Sequence, residues 1–309
     1  MKTTRVLVAL DGSEYSQNAS LTAFWMTKAT DAQLDAISVV DPRIVDLFLS
    51  PEFAEDLGLK PSIDASAKII QSLKRIASVV LTLWKGDCEK HLGVEGKTHL
   101  ELGDTTEEII KRGKDCDLTV VGHRGVGYKD HQPSATHFRI GSVAERVAVG
   151  AKKSVLISIS PPQSLKTILV AYDGSEASKG ALLLAEQLAV KTGKQLKAIQ
   201  VVATEELCKQ ATSTIELGAS LLRNYVPKDE KETASGGGVA VEKKTQTIMD
   251  AVFSIKVGPV GKTILDEAEA LDALLVIGAY GFKDPEDNVM GSTTTQIIRS
   301  TRASVLVYR

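Results

Sequence analysis

Arg5-Val-Leu-Val-Ala-Leu-Asp-Gly-Ser-Glu14 decides the fold, because it returns 162 residues later as Thr167-Ile-Leu-Val-Ala-Tyr-Asp-Gly-Ser-Glu176. A run that is apolar at every position suits a strand buried on both faces. Asp-Gly-Ser-Glu after it suits a turn into a helix start. Three more matches follow in the same order. Leu34-Asp-Ala-Ile-Ser-Val-Val40 returns as Leu196-Lys-Ala-Ile-Gln-Val-Val202, and Leu118-Thr-Val-Val-Gly-His-Arg-Gly125 as Leu274-Leu-Val-Ile-Gly-Ala-Tyr-Gly281. Ser154-Val-Leu-Ile-Ser158 returns as Ser304-Val-Leu-Val-Tyr308. The period is too long for a solenoid, so the chain reads as two copies of one domain. The offset falls from 162 at Asp11 and Asp173 to 150 at Ser154 and Ser304, so the first copy carries about a dozen extra residues.

Each copy alternates strand and helix. In the first, strands are predicted at Val6–Leu10, Leu34–Val40, Lys97–Leu102, Leu118–Val121 and Ser154–Ile159. Helical spacing runs from Ser16 to Thr30, through much of the region up to His91, and over Ser142–Val149. Thr105 or Thr106 is the expected cap of the helix after the third strand, with Glu107 and Glu108 suited to its positive first turn. The pattern implies an α/β fold, two tandem five-stranded parallel sheets with helices on both faces. Ligands then bind beyond the carboxyl ends of the strands. The domains are predicted at 1–160 and 165–309, joined by the stiff link Ser160-Pro-Pro-Gln-Ser164. The stretch Pro227 to Thr245, with Gly236-Gly-Gly238, receives no assignment.

Composition bounds the function. Among 309 residues, 37 Lys and Arg balance 39 Asp and Glu, and a near-neutral chain lacks the basic excess of a nucleic-acid coat. No apolar run reaches the ~18 residues of a membrane span. Val6–Leu10 is too short for a signal-peptide core. Three scattered cysteines, Cys88, Cys116 and Cys208, fit neither a disulfide framework nor a zinc site, so the expected compartment is the cytoplasm.

The fourth strand of the second copy ends in Gly278-Ala-Tyr-Gly281, and after nine intervening residues Gly291-Ser292 opens a helix. Glycines after a strand admit an anion close to backbone amides and permit positive φ. A helix start adds unpaired N–H groups and the positive dipole end. From spacing alone, the pattern reads equally as a phosphate cradle and as glycines that turn the chain before a Ser292 cap.

The early Asp-Gly-Ser-Glu, the Val-Val strand end, the Gly-x2-Gly-x9-Gly-Ser motif and the final Ser-Val-Leu-Val together resemble the universal stress protein family. The resemblance spans both halves and implies a tandem member of the ATP-binding type, with a Rossmann-like, adenine nucleotide alpha hydrolase-like sandwich in each. It implies Asp173 beside the ribose and metal and Val201 at the adenine. It puts Gly278, Gly281, Gly291 and Ser292 at ribose and phosphates, with Ile277, Tyr280 and Thr293 in the same shell. In the first copy it implies Asp11, Val39, Val121, Gly122, Arg124, Gly125, Gly141, Ser142 and Val143. There the spacing departs from the family, with fifteen residues between Gly125 and Gly141. In the second copy Asp284, Glu286 and Asp287 fall on the phosphate side and call for Mg²⁺ or Mn²⁺ to compensate a triphosphate.

The resemblance also implies that the last strands pair antiparallel within the chain, Val155–Ile157 with Val305–Val307, as a pseudo-dimer with two outward-facing clefts. The implied function is a nucleotide-dependent sensor or switch. A nucleotide-independent scaffold and a slow ATPase are the alternatives.

Several motifs are decoys. Gly258-Pro-Val-Gly-Lys-Thr263 lacks the first glycine of a P-loop, Lys256 standing there, so it reads as a strand-to-helix turn with Thr263 near the cap. His123, His131 and His137 with Asp130 match no zinc spacing. Cys116, between two aspartates, is expected to be inert. No Gly-x-Ser-x-Gly elbow, His-x-Gly-His or Ser-Gly-Gly-x-Asp-Ser signature occurs, so no catalytic residue is assigned and turnover is expected to be slow or nil.

Overall fold

The computed structural model describes residues 4–43, 45, 63–126, 140–222, 239–283 and 289–309. They form two compact units, one within Met1–His131 and Gly141–Lys153, the other Ser154–Arg309 with Ile140.

The first unit carries β1 (Arg5–Ala9), α1 (Glu14–Thr30), β2 (Gln33–Val40), α2 (Ile63–Leu92), β3 (Lys97–Leu102), α3 (Thr105–Gly113), β4 (Leu118–Gly122) and α4 (Ser142–Gly150). Its strands lie in the order β3-β2-β1-β4, all parallel. The central strands are buried on both faces, as the unbroken apolar runs require: Val6, Leu7 and Val8 are fully enclosed.

The second unit carries β5 (Ser154–Ser158), β6 (Thr167–Ala171), α5 (Glu176–Thr192), β7 (Gln195–Val202), α6 (Cys208–Leu221), α7 (Val239–Val252), β8 (Phe253–Val257), α8 (Val260–Ala270), β9 (Ala273–Gly278), α9 (Ser292–Ser300) and β10 (Val305–Tyr308). Its order is β5-β10-β9-β6-β7-β8, parallel except for β5, which runs antiparallel to β10. Val305, Leu306 and Val307 face Ile157, Leu156 and Val155, the register expected from the sequence. The contacts therefore draw β5, a first-copy strand by sequence, into the second unit. Ser304 Oγ accepts the Ile159 amide at 3.0 Å, and Ser154 Oγ accepts the Arg309 amide at 3.2 Å.

The repeated Asp-Gly-Ser-Glu builds the same turn twice. Asp11 Oδ1 accepts from the Ser13 amide (2.9 Å) and hydroxyl (2.6 Å). Asp173 Oδ1 accepts from the Ser175 amide at 2.9 Å. Ser13 and Ser175 then cap α1 and α5 by accepting from the amides of Ser16 and Ser178. Between them Gly12 and Gly174 take φ of 84° and 83°, a conformation that favours glycine.

Three local expectations are corrected. Asp104, not Thr105 or Thr106, caps α3: its Oδ1 accepts the Glu107 amide at 2.9 Å. A carboxylate there has the added support of Arg43 at 2.6 Å. Gly291, not Ser292, is the N-cap of α9, with Ser292 the first helical residue. Pro259 rather than Thr263 precedes the first turn of α8, inside the expected strand-to-helix connection. Of the unassigned stretch, the part from Val239 onward is helix α7; the rest, with the three glycines, lies outside the described residues.

Candidate functional site

In each unit the sheet's strand order reverses where the chain crosses from one side to the other, between β1 and β4 and between β6 and β9. A cavity opens at the carboxyl end of each such pair, as the topology demands. In the first unit it measures about 530 Å³ and is lined by Asp11, Val39, Val121, Gly122, Arg124, Gly125, Gly141, Ser142 and Val143. In the second it measures about 410 Å³ and is lined by Asp173, Val201, Ile277, Gly278, Tyr280, Gly281, Gly291, Ser292 and Thr293. Both volumes fall in the range of small-molecule pockets. All eighteen residues singled out from the sequence thus gather at two cavities.

The floor is apolar in both. Ile37 joins Val39 and Val121 in the first, and Ile199 joins Val201 and Ile277 in the second. Ile109 of α3 and Ile264 of α8 add a wall. Sequence reasoning passed over these isoleucines. Period-two spacing carried the signal for Ile37 and Ile199, which sit two residues before the valines on the same strand face.

The polar end is built from a helix start. In α9 the first backbone bond of the helix runs from the Thr295 amide to the Gly291 carbonyl, 2.9 Å. The amides of Ser292, Thr293 and Thr294 precede it, and no side chain caps them. In α4 the corresponding bond runs from Glu145 to Gly141 at 3.0 Å, ahead of it stand Ser142, Val143 and Ala144, and again no side chain caps the end. The Gly291 amide itself is engaged by the Ala279 carbonyl, and that of Gly141 by His123, each within 3 Å. So the helix amides after the glycine, not the glycine's own, face the cavity's polar end.

The motif glycines divide into different duties. Gly278 and Gly122 must lack a side chain because a Cβ would strike the backbone at the start of α5 and α1, at Ala177 and Tyr15. Gly281 takes a φ of 60°. Gly291 has an ordinary φ of −61°, so the positive φ that its motif permits is used at Gly281 instead. A Cβ on Gly291 would meet nothing closer than 3.5 Å.

The two cavities differ in their charged and aromatic residues. Arg124 stands buried in the first; Tyr280 takes its place in the second, with the Arg309 guanidinium 6.0 Å from its ring centre. Phe282 and Lys283 also line the second cavity. Asp11 Oδ2 accepts the Val126 amide at 3.0 Å, which leaves that oxygen room for one further donor. Beside Arg124, His123 is completely enclosed, and burial, aided by that cation, lowers its pKa to about 4. Burial first, then Asp35, pushes the Cys116 thiol up to about 11, in keeping with an inert cysteine.

Among the described residues no group of three His, Cys, Asp or Glu stands together as a metal site. His131, His137 and Asp130, and the acidic residues Asp284, Glu286 and Asp287, lie outside the described residues. No described helix is long and apolar enough to cross a membrane.

The sequence profile of the universal stress protein family matches residues 2–158 and again 164–309. The chain belongs to the universal stress protein family. It is a tandem member, with two family domains in one chain. Universal stress protein Slr1230 of Synechocystis is 24% identical over 316 residues, covering 98% of this chain and 99% of that one. A second Synechocystis member, Sll1388, is 26% identical over 146 residues, covering 45% of this chain and 95% of its own length. The crystal structure of a universal stress protein from Archaeoglobus fulgidus shares the fold at a TM-score of 0.64 and 21% identity, covering 100% of this chain and 99% of that one.

Proposed function

We propose that the cavity in each unit binds ATP and that the protein is a cytoplasmic, nucleotide-dependent sensor or switch with weak hydrolysis at most. The observation that carries this reading is the uncapped helix start of α9 and of α4, opening on a glycine at the rim of an apolar cavity. Of the other strand-following helices in the same units, α1, α3 and α5 are capped by their own Ser or Asp side chains, while α8, which starts after Pro259, also lacks a side-chain cap but has no Gly-Ser start. Three unanswered amides and a positive dipole end suit phosphate oxygens. The isoleucine and valine floor suits the flat face of a base. Asp11 and Asp173, at the first strand ends, suit ribose hydroxyls.

Asp173 is exposed at the cavity, with Oδ1 taken by the Ser175 amide. It offers the second cavity one carboxylate, too few to hold a divalent cation without other ligands. Mg²⁺ or Mn²⁺ would therefore be held by triphosphate oxygens, with Asp173 contributing directly or through water. The cation would offset phosphate charge.

The test is a mass spectrum of small molecules released on denaturing the purified protein, followed by calorimetric titration with ATP, ADP, AMP and cyclic AMP. ATP binding at two sites per chain is the expected result. A chain that releases no nucleotide and takes up none would be a nucleotide-independent scaffold.

A further inference from the structure

Helix α2 buries one face and leaves an ordered apolar seam on another. Ala77, Leu81, Trp84 and Cys88 point into the first unit, Trp84 stacking on Phe24 at 6.1 Å. Away from that face stand Ile69 (40% exposed), Ile76 (60%), Val79 (58%) and Leu83 (66%). Their separations of seven, three and four residues put Ile69, Ile76 and Leu83 at a and Val79 at d of a heptad, with Ser72 at the other d position between them. The seam runs over about 21 Å of helix. Solvent-facing apolar residues scattered singly need no explanation, but four in one register do.

The charge around the seam is one-sided. From Ser66 to Gly86 the helix contains no acid, and of its cations Lys68 and Arg75 lie beside the seam, with Lys74 and Lys85 across the helix from it. Lys85 is engaged by Glu95 at 3.0 Å, on the helix's other side. No salt bridge ties Lys68, Lys74 or Arg75 to an acid among the described residues. Lys68 and Arg75 are exposed.

We infer that this seam is a docking surface for an amphipathic helix of a protein partner, with apolar residues at heptad spacing and acidic residues flanking them. Apolar residues returning at heptad spacing are the pattern by which one helix meets another. The exposed seam also lacks the Trp or Phe that anchors an interfacial helix. A second copy of α2 in antiparallel pairing would set Lys68 and Arg75 against each other, a like-charge juxtaposition, and in parallel pairing would offer them Leu73 and Val80, which answer neither charge. Acidic flanks on the partner answer those cations and fix its register.

The probe is a synthetic helical peptide of about three heptads with Leu at a and d and Glu at e and g, set against its Lys-flanked counterpart. Fluorescence anisotropy with the full-length chain should show the Glu peptide binding at least about tenfold tighter than the Lys peptide, and weakening with salt. The pair Ile76→Gln and Leu83→Gln should lower that affinity about tenfold or more with an unchanged melting temperature, since both side chains are solvent-facing. The pair Lys68→Glu and Arg75→Glu, which leaves the seam intact, should reverse the preference toward the Lys peptide. Equal binding of the two peptides, or binding that survives the glutamine pair, would overturn the inference. So would co-flotation with phosphatidylserine vesicles, or self-association in sedimentation, that the glutamine pair abolishes while the Glu peptide stays unbound.

Discussion

Gly278 and Ala177 approach so closely that a methyl group on the glycine would stand 2.8 Å from the alanine's own. Behind that methyl lie Ala177's carbonyl carbon at 2.9 Å and the Ser178 amide at 3.0 Å, so the obstruction is backbone and cannot swing away. Gly122 stands in the same relation to Tyr15, at 2.8 Å. Gly278→Ala and Gly122→Ala should each therefore destabilise the fold, by about 2 kcal/mol. Urea denaturation reads this directly, and a midpoint equal to the parent's would refute the packing argument.

Gly291 is expected to behave in the opposite way. Neighbours of a Cβ there begin at 3.5 Å, so Gly291→Val should still fold, with a loss of about 1 kcal/mol for a poorer N-cap. The valine methyls would stand where a phosphate approaches the α9 amides. Loss of two such contacts would cost about 3 kcal/mol, roughly a hundredfold in ATP affinity. Calorimetry on the folded variant decides. Unaltered affinity and stoichiometry would leave Gly141 and Ser142 as the binding helix start.

ATP should bind tightly only with a divalent cation. AMP, with less charge to offset, should depend on it less. Titrations in excess Mg²⁺ and in excess chelator compare the two nucleotides. ATP affinity that is the same in both conditions would remove the metal from the account.

His123 should make the first unit sensitive to mild acid. Its pKa is about 4 in the folded chain against an ordinary 6.5, so the unfolded chain takes up the proton first as pH falls. The contribution is whole above pH 6.5 and is lost on the way down to about 4. Between pH 7 and pH 5 this amounts to about 2 kcal/mol. His123→Gln should flatten that slope, whatever it does to stability at pH 7. A variant with the parental slope would place the acid sensitivity elsewhere.

Leu306→Pro should be severe. Leu306 pairs with Leu156 on one side and Val276 on the other, and is fully buried. Proline removes its ladder donor and sets a ring into a packed sheet, a cost of about 3 kcal/mol or more. Thermal unfolding would show a lowered transition. A transition equal to the parent's would mean that this pairing contributes little.

Much of the fold and of the two cavities was legible in the residues alone. Two copies of Asp-Gly-Ser-Glu located both first turns because a carboxylate, a glycine and a hydroxyl have fixed parts in that geometry. Apolar runs located the strands because parallel strands are covered on both faces. The features that escaped depended on neighbours distant in sequence. Asp104 prevailed over the adjacent threonines as the α3 cap with Arg43 of another segment supporting it. The separate duties of Gly278 and Gly291 appear only when α5 is laid against the end of β9. Ile109 and Ile264 reach the cavities from helices after the third strand of each copy, and nothing in their local pattern distinguishes them from core.

The contact of β5 with β10 bears on how the chain can be dissected. A C-terminal fragment that starts after the Pro-Pro link would be deprived of Val155, Leu156 and Ile157, the strand its own C-terminus lies against. Such a fragment would be sticky, its bare β10 edge free to pair with the β10 of a sister fragment. One that begins at Ser154 would carry its own partner, and a short synthetic peptide of 154–158 should partly cure the shorter piece in trans.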